Sequence, residues 1–281
     1  MQITSADAVS LTALVRRLSG ISINPDNMGF LELRLSRRMR ELQIRDFNGY
    51  RSILVGPDGT AEANHLVEML ATHTTSFFRE NTHYEWMRAH GLPELFAAGA
   101  GKEYPLSLWS AACSLGSELW SAAMIVDQFA QERRGGVLWK ATGTDISRRV
   151  LRRAASATFT EAELAGLPDD YRRRYMMRSR RSVANAEQAL FRVVPELRSQ
   201  TRFASLNLIR PSPDFQLNAD IIFLRNVLIY FEPADQIAAL GTVLRRLRPG
   251  GFLMTGHSEA LMETPKGMTQ VAPSIYRKEG G

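Results

Sequence analysis

Through residue 71 the apolar positions recur at helical spacing and nowhere alternate as in strands. Val9, Leu11, Leu14, Val15 and Leu18 follow Ser5 and Asp7, which predicts a capped amphipathic helix closed at Gly20. After Asn24, Pro25 and Asp26 a second helix carries Leu31, Leu35, Met39 and Leu42 along one face. Residues 46–50 (DFNGY) and 56–59 (GPDG) read as turns, and residues 61–71 as a further helix. The polar stretch 72–76 (THTTS) then runs into Phe77, Phe78, Arg79 and Glu80. It marks a boundary, although solvated linkers rarely carry two adjacent phenylalanines.

From residue 104 the pattern changes to strand, turn, helix. Strands are expected over 105–113, 137–144, 220–224 and 252–255, and helices over 117–131, 147–155 and 233–247. Such alternation predicts right-handed crossovers and a doubly wound α/β domain with a mostly parallel sheet. Residues 189–194 (ALFRVV) and 201–204 (TRFA) read as short strands on either side of Pro195, which predicts a small antiparallel insert.

Composition narrows the class. The 281 residues are 44% hydrophobic and 23% charged, which excludes a disordered chain and leaves room for one large domain or two modest ones. Cys113 is the single cysteine, so no internal disulfide is expected. The chain lacks a signal-peptide pattern at its start and any apolar run of about 18 residues, and a cytoplasmic protein without direct membrane insertion is expected. The 35 basic and 29 acidic residues give a net charge of +6, which predicts an anionic partner: nucleic acid, acidic lipid or an acidic protein surface.

The basic charge is clustered. Arg34, Arg37, Arg38 and Arg45 fall on a face adjoining the apolar stripe of the second helix, either as an ordinary solvated face or as a docking surface. Arg172, Arg173, Arg174, Arg178, Arg180 and Arg181 lie beside Tyr171 and Tyr175, a pattern open to solvated surface, acidic-protein docking or RNA stacking.

Ligands of open α/β sheets bind beyond the carboxyl ends of the strands, and three such ends here carry suggestive residues. Residues 109–118 (WSAACSLGSE) end the first strand with small side chains but no GxGxxG pattern. Asp145 closes the second strand, where an acid accepts hydrogen bonds from ribose hydroxyls or caps the next helix. Arg225 and Asn226 follow directly on an apolar strand. No Asp-Pro-Pro-Tyr or Asn-Pro-Pro-Tyr occurs, which weighs against adenine-N6 and glutamine methylation. Cys113 has no activating neighbour in sequence and reads as a buried small side chain. No His-Glu-x-x-His, paired cysteine or Walker pattern supports metal or nucleotide hydrolysis, and His257 reads as structural.

Taken together, residues 72–80 (THTTSFFRE), 109–121 (WSAACSLGSELWS), 143–146 (GTDI), 203–208 (FASLNL), 225–231 (RNVLIYF) and 256–259 (GHSE) resemble the CheR family of chemotaxis-receptor glutamate O-methyltransferases. The resemblance spans nearly the whole chain. It implies an all-α receptor-recognition domain over 1–72, a linker over 73–88 that contributes to the cofactor site, and an S-adenosylmethionine-binding domain over 89–281. This last is a Rossmann-like α/β sheet with a small antiparallel β insert at about 176–204.

Residue by residue, the resemblance puts Thr75 and Arg79 at the amino-acid end of the cofactor, with His73 and Glu118 also in the cofactor site and Ser117 at the position that faces the cofactor. Asp145 falls at the ribose, Asn207 and Leu208 near the adenine, and Arg225 and Asn226 beneath the methionine portion. Arg79 and Tyr230 are the implied catalytic pair, Tyr230 beside the sulfonium methyl. Two positions depart from the family pattern: His73 replaces its usual Asn, and Ser117 replaces the first of two acids. They make a degenerate cofactor-binding regulator of the same fold the main alternative; the basic charge and the arginine cluster leave a nucleic-acid methyltransferase as a lesser one. The resemblance also turns the Arg34, Arg37, Arg38 and Arg45 stripe into an expected contact with the cytoplasmic helix bundle of a chemoreceptor. Residues 177–188 (MRSRRSVANAEQ) lack the glycine of the peptide-binding loop found in some relatives, so no C-terminal peptide tether is expected, and no nucleic-acid partner.

Overall fold

Side-chain caps set the N-terminal helices. In a computed structural model that describes residues 3–57, 59–133, 136–179, 189–259 and 264–280, Thr4 caps α1 (Ser5–Ser19): its hydroxyl accepts from the Asp7 N–H, the Asp7 carboxylate accepts from the Thr4 N–H, and Gly20 at φ 80° ends the helix. Asn27 caps α2 (Met28–Glu41), and Asp46 caps α3 (Phe47–Val55) by accepting from the Gly49 N–H at 2.9 Å. The 46–50 stretch expected as a turn is therefore the start of a helix. An Asp followed three residues later by a free N–H serves an Asx-turn and an N-cap equally, and only the apolar residues beyond it decide which forms. Helix α4 (Gly59–Leu70) follows. Leu11, Val15, Leu31, Leu35, Met39, Leu66 and Leu70 are buried.

The chain divides into two compact units, residues 1–72 with 229–238, and residues 73–228 with 239–281. Within the first unit, the Ser22 N–H donates to the Tyr230 carbonyl at 2.7 Å and Ile21 forms an antiparallel bridge with Phe231. The Ser22 hydroxyl donates to Glu232 at 2.8 Å.

The second unit begins with α5 (Thr82–Trp86), a π-helical turn over Met87–Gly91 and α6 (Leu92–Ala97). The turn inserts extra residues into the helical repeat and shifts the apolar phase, which is why no 3.6-residue pattern announced these helices. There follow β1 (Leu106–Ala111), α7 (Ser117–Gln131), β2 (Trp139–Asp145), α8 (Arg148–Ser156), β3 (Thr158–Thr160), α9 (Asp169–Tyr175), β4 (Met176–Arg178), β5 (Leu190–Val193), α10 (Pro195–Ser199), β6 (Thr201–Ser205), β7 (Ala219–Leu224), α11 (Pro233–Leu244), β8 (Leu247–Thr255), β9 (Met268–Ala272) and β10 (Ile275–Lys278).

Seven strands form one sheet in the order β6-β2-β1-β7-β8-β10-β9, parallel except for β10, which runs antiparallel to both neighbours. Every residue of β1 and β7 is buried, as expected of central parallel strands covered on both faces. The β9–β10 hairpin gave no sequence signal, because three successive residues of β9 are exposed and break the alternation. A second, antiparallel sheet of order β3-β5-β4 sets Phe159 opposite Phe191. The insert is thus real, but residues 201–205 are not part of it. They form β6 and pair in parallel with β2, Gly143 opposite Phe203, while Thr158–Thr160 supplies the insert's first strand. Most of the 177–188 stretch read for a tether, with Arg180 and Arg181, lies outside the described residues.

Candidate active site

The turn leaving β1 is held by the acid that ends β2. Ala112, Ser114 and Gly116 all take left-handed backbone, at φ 63°, 50° and 85°. For the first two this is an uncommon conformation that needs outside support. Asp145 provides it: Oδ2 accepts from the Ser114 N–H and Oδ1 from the Ser147 N–H, each at 2.9 Å. The cap of α8 is Ser147, whose hydroxyl faces the Val150 N–H at 3.4 Å, so Asp145 is not the N-cap. Burial pushes the Asp145 carboxyl up, opposed by the Ser147 N–H, the nearby His73 and the Ser114 N–H. Each of its oxygens retains a lone pair for a further donor. Cys113 is buried beside it, and burial, then Asp145 and Glu118, pushes its thiol well up, away from the reactive thiolate.

A second centre is built where β7 ends. The Arg225 side chain is 1% exposed. Its Nη1 lies 3.2 Å from Glu118 Oε2 and 3.3 Å from the Tyr84 hydroxyl, while Nη2 lies 3.1 Å from Glu80 Oε2 and donates to the Arg79 carbonyl. Burial pulls the guanidinium pKa down, but Glu118, Tyr84 and Glu80 outweigh it and hold it above its usual value. The other Glu118 oxygen accepts from Ser110 at 2.7 Å. Burial pushes the Glu118 carboxyl up and Arg225 opposes it. Near this centre the buried His83 imidazole is pushed down to about 4, by burial first and then by the Arg225 charge.

The backbone after Arg225 is clamped by one side chain. Asn226 stands at φ 56°, and Glu259 accepts from the N–H groups of Asn226 at 2.5 Å, Leu228 at 2.6 Å and Gly256 at 3.0 Å. A Cβ at Gly256 would sit 2.7 Å from Glu259 Oε2 and 2.8 Å from Asn226 Nδ2, so a larger residue there would have to displace the clamping side chains. On the facing segment Phe78 and Glu80 are also left-handed, at φ 51° and 54°. The adjacent phenylalanines explain themselves here. Phe77 packs edge-on to Phe159 at 4.9 Å and Phe78 lies 5.0 Å from Tyr171, so both rings anchor the segment that carries Arg79.

The expected cofactor residues sort as follows. Glu118, Arg225, Asn226 and the Arg79 backbone come together directly. The Arg79 guanidinium is exposed and lies 3.4 Å from the Thr74 carbonyl. The His73 carbonyl accepts from the Ser114 hydroxyl at 2.8 Å, which ties the linker to the β1 turn, and Thr75 is half-buried nearby in sequence. Ser117 is buried at the first position of α7. Asn207 turns the chain after β6 by accepting from the Ile209 N–H at 3.0 Å, and Leu208 beside it is buried. Tyr230 belongs to the first unit.

In that unit Arg34, Arg37 and Arg45 are exposed, with Arg37 3.4 Å from Glu41. Arg38 differs. It grips the buried Glu62 with two nitrogens, at 2.9 and 2.5 Å, and Tyr50 donates to the same carboxylate at 2.8 Å. Sequence reasoning assigned no role to Glu80, Tyr84, Ser110 or Glu259. Glu80 and Glu259 lie inside the 72–80 and 256–259 motifs, but the partners that both reach at residues 225–228 are more than thirty residues away in sequence and leave no local signal.

Such an arrangement selects its ligand. A buried acid with lone pairs to spare suits a diol, the tight small-residue turn lets backbone come close to a ligand, and the Arg225 centre offers both signs of charge to an amino-acid moiety. On a Rossmann-like sheet this donor set fits S-adenosylmethionine, and the fold and site define the class of methyltransferases that use it. Comparison with known proteins agrees: residues 73–276 match the family described as CheR methyltransferase, SAM binding domain, and residues 7–71 match the CheR methyltransferase, all-alpha domain. The "Chemotaxis protein methyltransferase" of Escherichia coli K12 is 31% identical over 95% of this chain and 88% of its own length. That of Salmonella typhimurium LT2 is 32% identical over 94% and 86%, and "Chemotaxis protein methyltransferase 2" of Pseudomonas aeruginosa PAO1 is 31% identical over 97% and 93%. The chain belongs to the CheR methyltransferase family. Among the described residues, no helix is long and apolar enough to cross a membrane.

Proposed function

We propose that this protein transfers the methyl group of S-adenosylmethionine to glutamate side chains on the cytoplasmic helix bundle of a chemoreceptor, forming glutamyl methyl esters in sensory adaptation or a related pathway. The observation that carries the reading is the buried Arg225–Glu118 pair, 3.2 Å apart, inside a segment that matches the family's cofactor-binding domain. The names of the relatives support the chemotactic setting.

When bound, S-adenosylmethionine supplies an electrophilic methyl group on a sulfonium sulfur. A glutamate side chain with a pKa of about 4.3 is already an anionic nucleophile at neutral pH, so the chain needs no general base. Its task is alignment and exclusion of water, and holding the carboxylate in line can contribute about 7 kcal/mol or more. In this reading Asp145 takes the ribose, Asn207 and Leu208 the adenine, and Glu118, Arg225 and Asn226 the methionine portion with His73, Thr75 and Ser117. Arg79, exposed and set on a segment anchored by two phenylalanines, orients the incoming carboxylate, and Tyr230 fixes its approach. Arg34, Arg37 and Arg45 meet the acidic receptor face, with residues 1–72 as the recognition domain.

Calorimetry with S-adenosylhomocysteine tests the cofactor half of this proposal, with saturable one-to-one binding expected. No heat with either this product or S-adenosylmethionine would favour the degenerate regulator, for which Ser117 and His73 are the motivating positions. Steeply salt-dependent RNA binding would instead favour nucleic acid as the partner.

A further inference from the structure

Beside the Arg225 centre, Glu80, His83 and His257 bring a carboxylate oxygen and two imidazole nitrogens within 4.8 Å of one another. We infer that these residues form a binding site for a divalent transition-metal ion of the zinc type, distinct from the cofactor site. The donor set is the first argument: two imidazoles and a carboxylate are the borderline ligands that zinc prefers, and three protein ligands leave one position open.

His83 is the second, independent argument. Its residue is 1% exposed, yet neither ring nitrogen has a hydrogen-bond partner among the described residues. A buried imidazole with both nitrogens unsatisfied is costly unless something completes it. The nearest candidates are the other two members of the cluster. Nδ1 stands 3.7 Å from Glu80 Oε2, too far for a hydrogen bond, and the His257 ring lies edge-on with its centroid 4.9 Å away. A metal ion bridges groups at this spacing. Bonds of about 2.0–2.2 Å require the three ligands to draw in from their present spacing, and His257 is the exposed member of the cluster, on the side open to solvent.

Charge is the third argument. Arg225 stands among Glu80, Glu118 and, across the Asn226 turn, Glu259, so the acids outnumber the cation and a dication is electrostatically welcome. One backbone and one side-chain contact already orient the cluster: the His257 N–H lies 3.3 Å from Glu80 Oε2, and Thr82 Oγ1 lies 3.5 Å from His257 Nε2. The inference does not rest on the methyl-transfer reading: His83 and His257 have no role there, and Glu80, which also braces Arg225, is shared between the two, so His257→Ala is the discriminating variant.

The test uses the full chain stripped of metal with a chelator and titrated with Zn2+ against a chromophoric competitor. One equivalent is expected to bind at micromolar affinity or tighter, and a Co2+-loaded sample is expected to show visible d–d bands of a low-coordinate site. His257→Ala, a change at an exposed side chain, should weaken zinc binding at least tenfold and abolish those bands, while His90→Ala on an exposed position elsewhere should do neither. Glu80→Gln should follow His257→Ala. Failure of the wild type to take up zinc, or uptake that His257→Ala leaves unchanged, overturns the inference.

Discussion

Glu118 Oε2 and Arg225 Nη1 stand 3.2 Å apart, with the arginine side chain 1% exposed and a second carboxylate, Glu80, on its other nitrogen. Removing one partner of a buried pair leaves the other charge uncompensated, at a cost of about 3–5 kcal/mol. Glu118→Ala is therefore expected to lower the unfolding free energy by an amount in that range and to weaken S-adenosylhomocysteine binding more than tenfold. Arg225→Lys keeps the charge but loses the fork that reaches Tyr84, Glu80 and Glu118 together, and should lose affinity similarly. Denaturant melts and calorimetry check both, and wild-type values for either variant would contradict the pairing.

Asp145 is expected to report on the ribose end. Its two oxygens each accept one backbone N–H, and Asn offers only one acceptor to the two donors. Asp145→Asn should cost about 1–3 kcal/mol of stability through the unsatisfied N–H and weaken S-adenosylhomocysteine binding by about tenfold, one bond's worth at 1.4 kcal/mol per decade.

Arg79 and Tyr230 should separate from these residues. Because the Arg79 guanidinium is exposed and only its carbonyl braces Arg225, Arg79→Ala is expected to leave the melting temperature unchanged. If it and Tyr230 align the reacting carboxylate, Arg79→Ala and Tyr230→Phe should lower kcat by about a hundredfold or more, near 3 kcal/mol of transition-state stabilisation. A change in KM alone would assign them to binding.

The arginine stripe should split. Arg37→Glu, on an exposed side chain, should raise KM for the receptor substrate without changing stability, whereas Arg38→Ala should destabilise the first unit by leaving Glu62 half-satisfied. Burial pushes the Glu62 carboxyl up, but the hydrogen bonds from Arg38 and Tyr50 and the Arg38 charge win and hold it below its usual 4.5. A lowered folded pKa gives stability that is present above the unfolded value and lost as pH falls through the folded one. The gap in melting temperature between wild type and Glu62→Gln should thus be widest near pH 7 and narrow progressively as pH falls below 4.5; a gap that does not narrow on acidification would contradict the role of the charge.

Much of the β1, α7, β2 and β7 framework was legible because short strand-like runs bounded by turn residues alternate with helical periods, and Asp145, Arg225 and Asn226 stand where such strands end. What sequence missed depends on distant partners. The TRFAS segment reads the same at the edge of a seven-stranded sheet as in a small insert, and only its pairing with β2 decides. Arg38 follows the same stripe as Arg37 until Glu62, twenty-four residues on, is found buried beneath it. The clamp by Glu259 is likewise invisible, since its three N–H donors lie on two different loops.

The central claim is carboxylate methylation of a receptor. Its most direct test incubates the protein with S-adenosylmethionine labelled in the methyl group and the cytoplasmic helix bundle of chemoreceptors from the same cell. The account predicts label on receptor glutamates that is released as methanol by mild base, and its loss in Arg79→Ala. Label that resists base, or no transfer to any of those receptors by a protein that binds S-adenosylhomocysteine, would contradict it.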